Sequence, residues 1–286
     1  MSNMKILVMS DIHNEFSVMN FEETTGEVDV VLIAGDLGKP GDMAHVMFSA
    51  REAYGAPVLA VEGNHDWWRS GRKLRTPQKI RAHTDKLLAK MNETGPLMKV
   101  LRRGDAVVLG NTRFIGATLW TDGRLNGADN EYDVSVMARV MSDNKKITIH
   151  DENRGIWRKA TPTDFFREHR ADLNGISKTL ETDWEGETVI MTHHAPLREL
   201  IEPVRNKEGD DVSPAYASDL SDFMSGINAD IWVFGHTHQP QDVSLDFGGT
   251  PIRFISNPRG YPSEKHTFDP YKIIDLRTNN DLEIEF

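Results

Sequence analysis

The chain contains no cysteine. That absence excludes disulfides, thiolate metal sites, iron–sulfur clusters and cysteine nucleophiles, so any metal must be held by His, Asp, Glu or Asn. Positive charge is scarce: 33 Lys and Arg face 44 Asp and Glu, a formal charge of −11, which argues against a protein held on duplex DNA by phosphate contacts. A small anionic substrate stays open. Long apolar runs are missing too. The first, within "MSNMKILVMSDIHNEF", spans six residues and ends in an acid, too short for a signal-peptide core or a membrane span. A cytoplasmic protein with no membrane partner is expected. Internal repeats, low-complexity tracts and Pro- or Ser-rich linkers are absent, which predicts one domain over residues 1–286, and oligomeric state leaves no trace. With 38% hydrophobic residues the chain can still bury a sizeable core.

Short β-branched apolar runs recur at Lys5 to Met9, Val28 to Ala34, Pro57 to Val61, Thr188 to Thr192 and Ile231 to Phe234, and read as buried strands. Between them, Phe165, His169, Leu173, Ile176 and Leu180 keep helical spacing behind Thr161 and Pro162, and Asp42 caps a second expected helix running to about Tyr54. Strand-like "FGGTPIRFISN" and "YKIIDL" follow without intervening helices, so a mixed α/β sandwich is expected rather than a pure doubly wound sheet. Two stretches stand apart. From Trp67 to Arg103 there are eleven Lys and Arg against Asp85 and Glu93 alone, which reads either as a solvated helix over roughly Pro77 to Met91 or as a basic rim drawing anions inward. The polar segment from Trp120 to Lys159, with a short helix expected near Val134 to Met141, has the character of an insertion over residues 120–160 that walls a pocket.

Six of the eleven histidines directly follow apolar runs, in company with Asp, Asn and Gly. In "SDIH", Asp11 and His13 are two apart and share one side of an extended segment. In "AGDLG", Gly35 and Gly38 flank Asp36, and in "EGNHD" Asn64 offers an amide oxygen and His65 an imidazole, with Asp66 placed to orient His65 and raise its pKa for proton donation. "MTHHAP" contributes His193 and His194; "FGHTH" contributes His236 and His238. Singly, these have ordinary explanations: a turn, an Asp cap, a surface pair. Together they put polar groups at the ends of five strands, where α/β sheets form their sites. Asp, Asn and His without thiolate suit Mn²⁺, Fe²⁺, Zn²⁺ or Ni²⁺, and seven such groups are too many for one ion, which implies a metal pair of the kind that serves hydrolytic phosphorus chemistry.

The order Asp-x-His, Gly-Asp, Gly-Asn-His-Asp, His-His and Gly-His-Thr-His resembles the calcineurin-like metallophosphoesterase superfamily, over Lys5 to about Leu276. "FIGATLWTD", "AYASD" and "NPRGYP" are similar to a bacterial and phage branch of phosphoesterases. The resemblance implies a four-layer αββα sandwich and two divalent ions, Mn favoured. Asp11, His13 and His238 would take the first ion, Asn64, His193 and His236 the second, and Asp36 both. Aligning "HHAP" with the family's His-His-Pro-Pro makes His193 the ligand and leaves His194 to contact substrate; members with the ligand two before a proline would choose His194 instead. It further implies in-line attack of a metal-bridging hydroxide on phosphorus, with His65 assisting the leaving group and Asp66 behind it.

A small phosphate ester is therefore the expected substrate. A diester is favoured, since the Arg-rich pattern of serine/threonine protein phosphatases is missing around the third group. The rivals are a phosphomonoesterase, a nuclease supported only by the basic stretch, and a non-catalytic scaffold; no stable nucleic-acid partner is expected. Arg259 and Tyr261 either touch substrate or pin a loop, and Trp67 and Trp68 either floor the site or pack in the core.

Overall fold

The computed structural model describes residues 4–21, 27–71, 76–127, 131–151, 154–201, 212–264 and 268–276. Its first half winds β1 (Lys5–Met9), β2 (Val30–Ala34), α1 (Met43–Tyr54), β3 (Val58–Val61), α2 (Pro77–Met91) and β4 (Met98–Leu101) into a parallel sheet. A late strand, β13 (Ile273–Asp275), closes its edge antiparallel to β1. In the second sheet, β6 (Thr112–Gly116), β9 (Glu187–Met191), β10 (Ile231–Val233) and β12 (Pro251–Ser256) run parallel. Its edges are antiparallel, β5 (Asp105–Leu109) beside β6 and β11 (Gln241–Asp246) beside β12.

Side-chain alternation makes the layers. On β2, Val30, Leu32 and Ala34 enter a core between the sheets with Ile6, Val8, Val189, Met191, Ile231 and Val233. Val31 and Ile33 face the other way and pack with Met43, Met47 and Leu88 of α1 and α2. Across the second sheet, Ile115, Ile190, Trp232 and Phe254 bury themselves with Ile176, Leu173 and Leu180 of α5 (Pro162–Leu180). The result is the mixed four-layer αββα sandwich that the sequence predicts. Local signals hold the helix starts: Thr76 accepts from Lys79 N before Pro77, and Thr161 and Asp164 form a reciprocal capping box before α5. Among the described residues no helix is long and apolar enough to cross a membrane.

The segment over 120–160 carries α3 (Glu131–Val140), close to the helix expected there, then α4 (Asp143–Lys146) and a hairpin of β7 (Thr148–Asp151) and β8 (Ile156–Lys159). Residues 128–130 and 152–153 within it lie outside the described residues. Trp67, Trp120, Ile147, Ala160 and Phe165 form the small apolar cluster that seats it, with the Trp120 ring stacked on Phe165 at 4.3 Å.

Three arginines of the basic stretch are engaged by acids of the fold, while Arg69, Lys79, Lys86, Lys90 and Lys99 are exposed. Glu62, buried at the end of β3, accepts from Arg81 at 2.7 Å and from Arg102 at 2.7 Å; Arg102 also reaches Asp85, and Arg103 pairs with Glu168 and Asp172. Residues 72–75 of the stretch lie outside the described residues. Burial raises the Glu62 carboxyl, yet the two guanidinium groups prevail and hold it down to about 2. A folded pKa below the unfolded one means that the clamp contributes fully above about pH 4.5 and is lost as pH falls toward about 2. Glu62→Gln is expected to lower the unfolding free energy by about 2 kcal/mol at pH 7, because two partly buried cations lose the buried carboxylate they share. Urea titration should show that gap narrowing below pH 4.5; equal stability at pH 7 would dismiss the clamp.

Candidate active site

Each candidate group stands on a loop just beyond a parallel strand: Asp11 and His13 after β1, Asp36 after β2, Asn64 and His65 after β3, His193 and His194 after β9, His236 and His238 after β10. The loops turn abruptly. Asp11, His13, Asp36, His236 and His238 all have left-handed backbones, with φ of 49°, 47°, 53°, 67° and 53°. Such conformations cost of order 1–3 kcal/mol each in non-glycine residues and persist where the surroundings impose them. Gly63 is demanded by close approach: a Cβ there would lie 2.1 Å from Asp36 Oδ1 and 2.4 Å from Asp36 N.

The loops bring seven of the sequence-derived residues together. Donor atoms of Asp11, His13 and His238 lie within 4.8 Å of one another, as do those of Asp36, His193 and His236. Asn64 Oδ1 joins the second group at 3.0 Å from His193 Nε2. Asp36 stands between the groups, with Oδ2 3.6 Å from His13 Nε2 and Oδ1 3.5 Å from His193 Nε2. The ring orientations follow from what holds Nδ1. That of His13 meets Glu15 at 3.0 Å, that of His238 meets Glu264 at 2.7 Å, and that of His193 donates to the Ala34 carbonyl at 2.9 Å. All three thus turn Nε2 inward, as ligating histidines do.

Several observations fit this donor set to divalent cations. His236 Nε2 is buried with no hydrogen-bond partner, and His13 Nε2 faces His238 Nε2 at 3.0 Å. Burial, with the Asp66 and Asp11 carboxylates nearby, pushes Asp36 well above the ordinary carboxyl range. Burial and neighbouring histidines push His236 well below its ordinary value. Crowded carboxylates and neutral imidazoles facing one another are stabilised by cations placed among them.

His65 lies beside the two groups, its Nε2 3.9 Å from Asp36 Oδ2 and 3.2 Å from the Tyr261 hydroxyl. The residue behind it is not Asp66. Glu15 Oε1 accepts from His65 Nδ1 at 2.8 Å, while the Asp66 carboxylate turns back onto the amides of Gly63 at 2.8 Å, Leu37 at 3.4 Å and Gly38 at 3.5 Å. The turn explains the difference. His65–Trp67 is a single 3₁₀ turn, in which successive side chains diverge by about 120°, so Asp66 points away from the ring it follows. Nor is the His65 pKa raised: burial lowers it to about 4 despite the Glu15 contact.

The two tryptophans divide the expected roles. Trp67 packs in the core against Trp120 and bonds Glu62 through Nε1 at 3.0 Å, whereas Trp68 stacks on the His65 ring with centroids 3.4 Å apart and lines the adjoining cavity. That cavity, of about 300 Å³, runs over Asp36, Asn64, His65, His236 and His238 to Tyr216, Tyr261 and the 140–143 stretch. Neither His194 nor Arg259 lines it. Arg259 donates to the carbonyls of Ile12 at 2.8 Å and Ser17 at 2.6 Å, so of the two roles the sequence left open for it, substrate contact and loop pin, its guanidinium makes the contacts of the pin, on the loop after β1. His194 stands outside both metal-type groups, its Nδ1 3.4 Å from the Thr118 carbonyl and its ring 4.3 Å from His236. Residues 202–211, which precede Tyr216, lie outside the described residues; Ile201 and Tyr216 line the cavity.

Comparison with known proteins places the site in a lineage. The sequence model of the family described as calcineurin-like phosphoesterase matches residues 4–240. An uncharacterized protein of Acanthamoeba polyphaga mimivirus is 25% identical over 302 residues, covering 96% of this chain and 97% of its own. Among solved structures, the phosphopantetheinyl hydrolase of Mycobacterium tuberculosis superposes with a TM-score of 0.69 at 20% identity, covering 96% of this chain and 95% of that one.

Proposed function

The chain belongs to the calcineurin-like phosphoesterase family, and from that premise we propose that it is a dinuclear phosphodiesterase, with Asp11, His13 and His238 on one divalent ion, Asn64, His193 and His236 on the other, and Asp36 reaching both. The convergence of these seven side chains carries the reading. Two such ions, Mn²⁺ favoured among Mn, Fe, Zn and Ni, supply a nucleophilic water at neutral pH and neutralise charge on phosphoryl oxygens. His65, oriented by Glu15 through Nδ1, presents Nε2 toward the centre; once Nε2 has taken up a proton from solvent, the imidazolium gives that proton to the departing oxygen and returns to the neutral ring. Asp66 fixes the loop that carries it.

The cavity favours a diester over a monoester. No Lys or Arg lines it among the described residues, whereas Asp143 and Glu264 do, so a dianionic monoester finds no cationic side chain there to hold its second charge. Trp68, Val140, Met141, Ile201, Tyr216 and Tyr261 offer apolar area for the second ester substituent, with the 120–160 segment as one wall. The nuclease reading draws on less of the basic stretch than its composition suggests, since Arg81, Arg102 and Arg103 are paired with acids of the fold. Metal-stripped protein reconstituted with Mn²⁺ is expected to hydrolyse bis-p-nitrophenyl phosphate faster than p-nitrophenyl phosphate. Preference for the monoester would make it a phosphatase at the same site. Failure to bind metal would remove the catalytic reading altogether.

A further inference from the structure

We propose that Asp143, supplied by the 120–160 segment, is a positioning residue that orients the amide of Asn64 and the ring of Trp68, so that this segment completes one metal site and the support of His65 as well as walling the cavity. The proposal rests on the reading of Asn64 as a ligand. One oxygen does both tasks. Asp143 Oδ1 accepts from Asn64 Nδ2 at 3.0 Å and from Trp68 Nε1 at 2.7 Å. The side chain is 3% exposed, so water does not substitute for either contact.

The chemical consequence lies in the two ends of an amide. An ionised carboxylate only accepts, so Asn64 must offer it the NH₂ end. Its carbonyl oxygen is then turned the opposite way, to where it lies 3.0 Å from His193 Nε2. Without an acceptor at Asp143 the amide is free to rotate, and half of its orientations present hydrogens to the cation. The second contact acts on the ring beside the reaction. Trp68 lies stacked on His65 with an interplanar angle of 29°, and its indole N–H is tied to the same carboxylate oxygen.

The rest of α4 reinforces the docking. Lys146 sets its ammonium 3.4 Å from the Trp68 ring centroid and accepts at its carbonyl from Arg69 N at 3.1 Å. Thus a four-residue helix holds Asn64, Trp68 and Arg69 at three points. Asp143 is separated from Asn64 by 79 residues, so the juxtaposition exists only in the folded chain.

The test compares Asp143→Ala with Asp143→Asn, titrating Mn²⁺ calorimetrically into metal-free protein and counting bound ions. In the alanine variant one of the two sites is expected to weaken by about 10–100-fold, the usual effect of losing a partner behind a metal ligand, while the other keeps its affinity. In metal-free samples the Trp68 indole N–H should also exchange faster with solvent by NMR. The asparagine variant retains an oxygen that accepts from both donors, so both sites should stay within about threefold of wild type. It keeps the test decisive if the alanine variant does not fold. Two undisturbed sites in Asp143→Ala, or a site lost in Asp143→Asn, would overturn the proposal. A wild-type protein that binds no metal would instead overturn the dinuclear reading on which it rests.

Discussion

Asp36→Asn is expected to lower diester turnover by at least about 10²-fold, equivalent to about 2.7 kcal/mol of transition-state stabilisation, and to remove metal unevenly. Asp36 Oδ1 accepts from the His65 backbone N–H at 2.8 Å, and this bond decides how an amide would sit. The amide oxygen must occupy the Oδ1 position. Its NH₂ then falls at Oδ2, the atom 3.6 Å from His13 Nε2, and points hydrogens at the Asp11, His13 and His238 group. That group should lose its ion first, while the His193 side retains one. Elemental analysis of the purified variant gives the stoichiometry and a diester assay the rate. Wild-type turnover with two ions bound would show that Asp36 does not link the sites.

His65→Ala is expected to depend on the leaving group. With an alkoxide leaving group the loss should be about 10²–10⁴-fold, the range for a positioned acid. A p-nitrophenolate departs as a stabilised anion and needs no proton, so with it the loss should stay within about tenfold. The free ring is neutral at pH 7, because burial holds its pKa near 4, so Nε2 must take up a proton from solvent before the transfer, a step that a bound phosphate's negative charge favours. Glu15 fixes the proton on Nδ1 and so keeps Nε2 toward the reaction; Glu15→Gln preserves a hydrogen-bonding group and should cost less than Glu15→Ala. An equal loss with both leaving groups would assign His65 to holding the site rather than to proton transfer.

The groups that emerged from the sequence share a physical trait: each sits where an apolar strand stops. β1 was legible because Lys5 to Met9 is an unbroken apolar run behind one charge, and α5 because Thr161, Pro162 and Asp164 write its start. The seven converging residues were legible for the same reason, two or three polar residues against a hydrophobic background. Glu15, Asp143 and Glu264 carry no such mark. Each is an isolated acid in a polar stretch, and its role comes from neighbours 50, 79 and 26 residues away. Only the fold creates those pairs. The hairpin of β7 and β8 was missed because its strands are four residues long and none of their residues is buried, which erases the alternation a half-buried strand displays. Asp66 misled because adjacency in sequence is separation around a 3₁₀ turn.

The left-handed backbones at Asp11, His13, Asp36, His236 and His238 have one more consequence. A procedure that chose residues for folding alone would write glycine or asparagine at these positions, relieving the turns and erasing the site. The most stable sequence for this backbone is therefore an inactive one. Left-handed backbones also occur at Arg103, Leu119 and Trp120, away from the metal-type groups, so it is the five that carry Asp or His together at strand ends, and not strain alone, that a folding-only choice would point to.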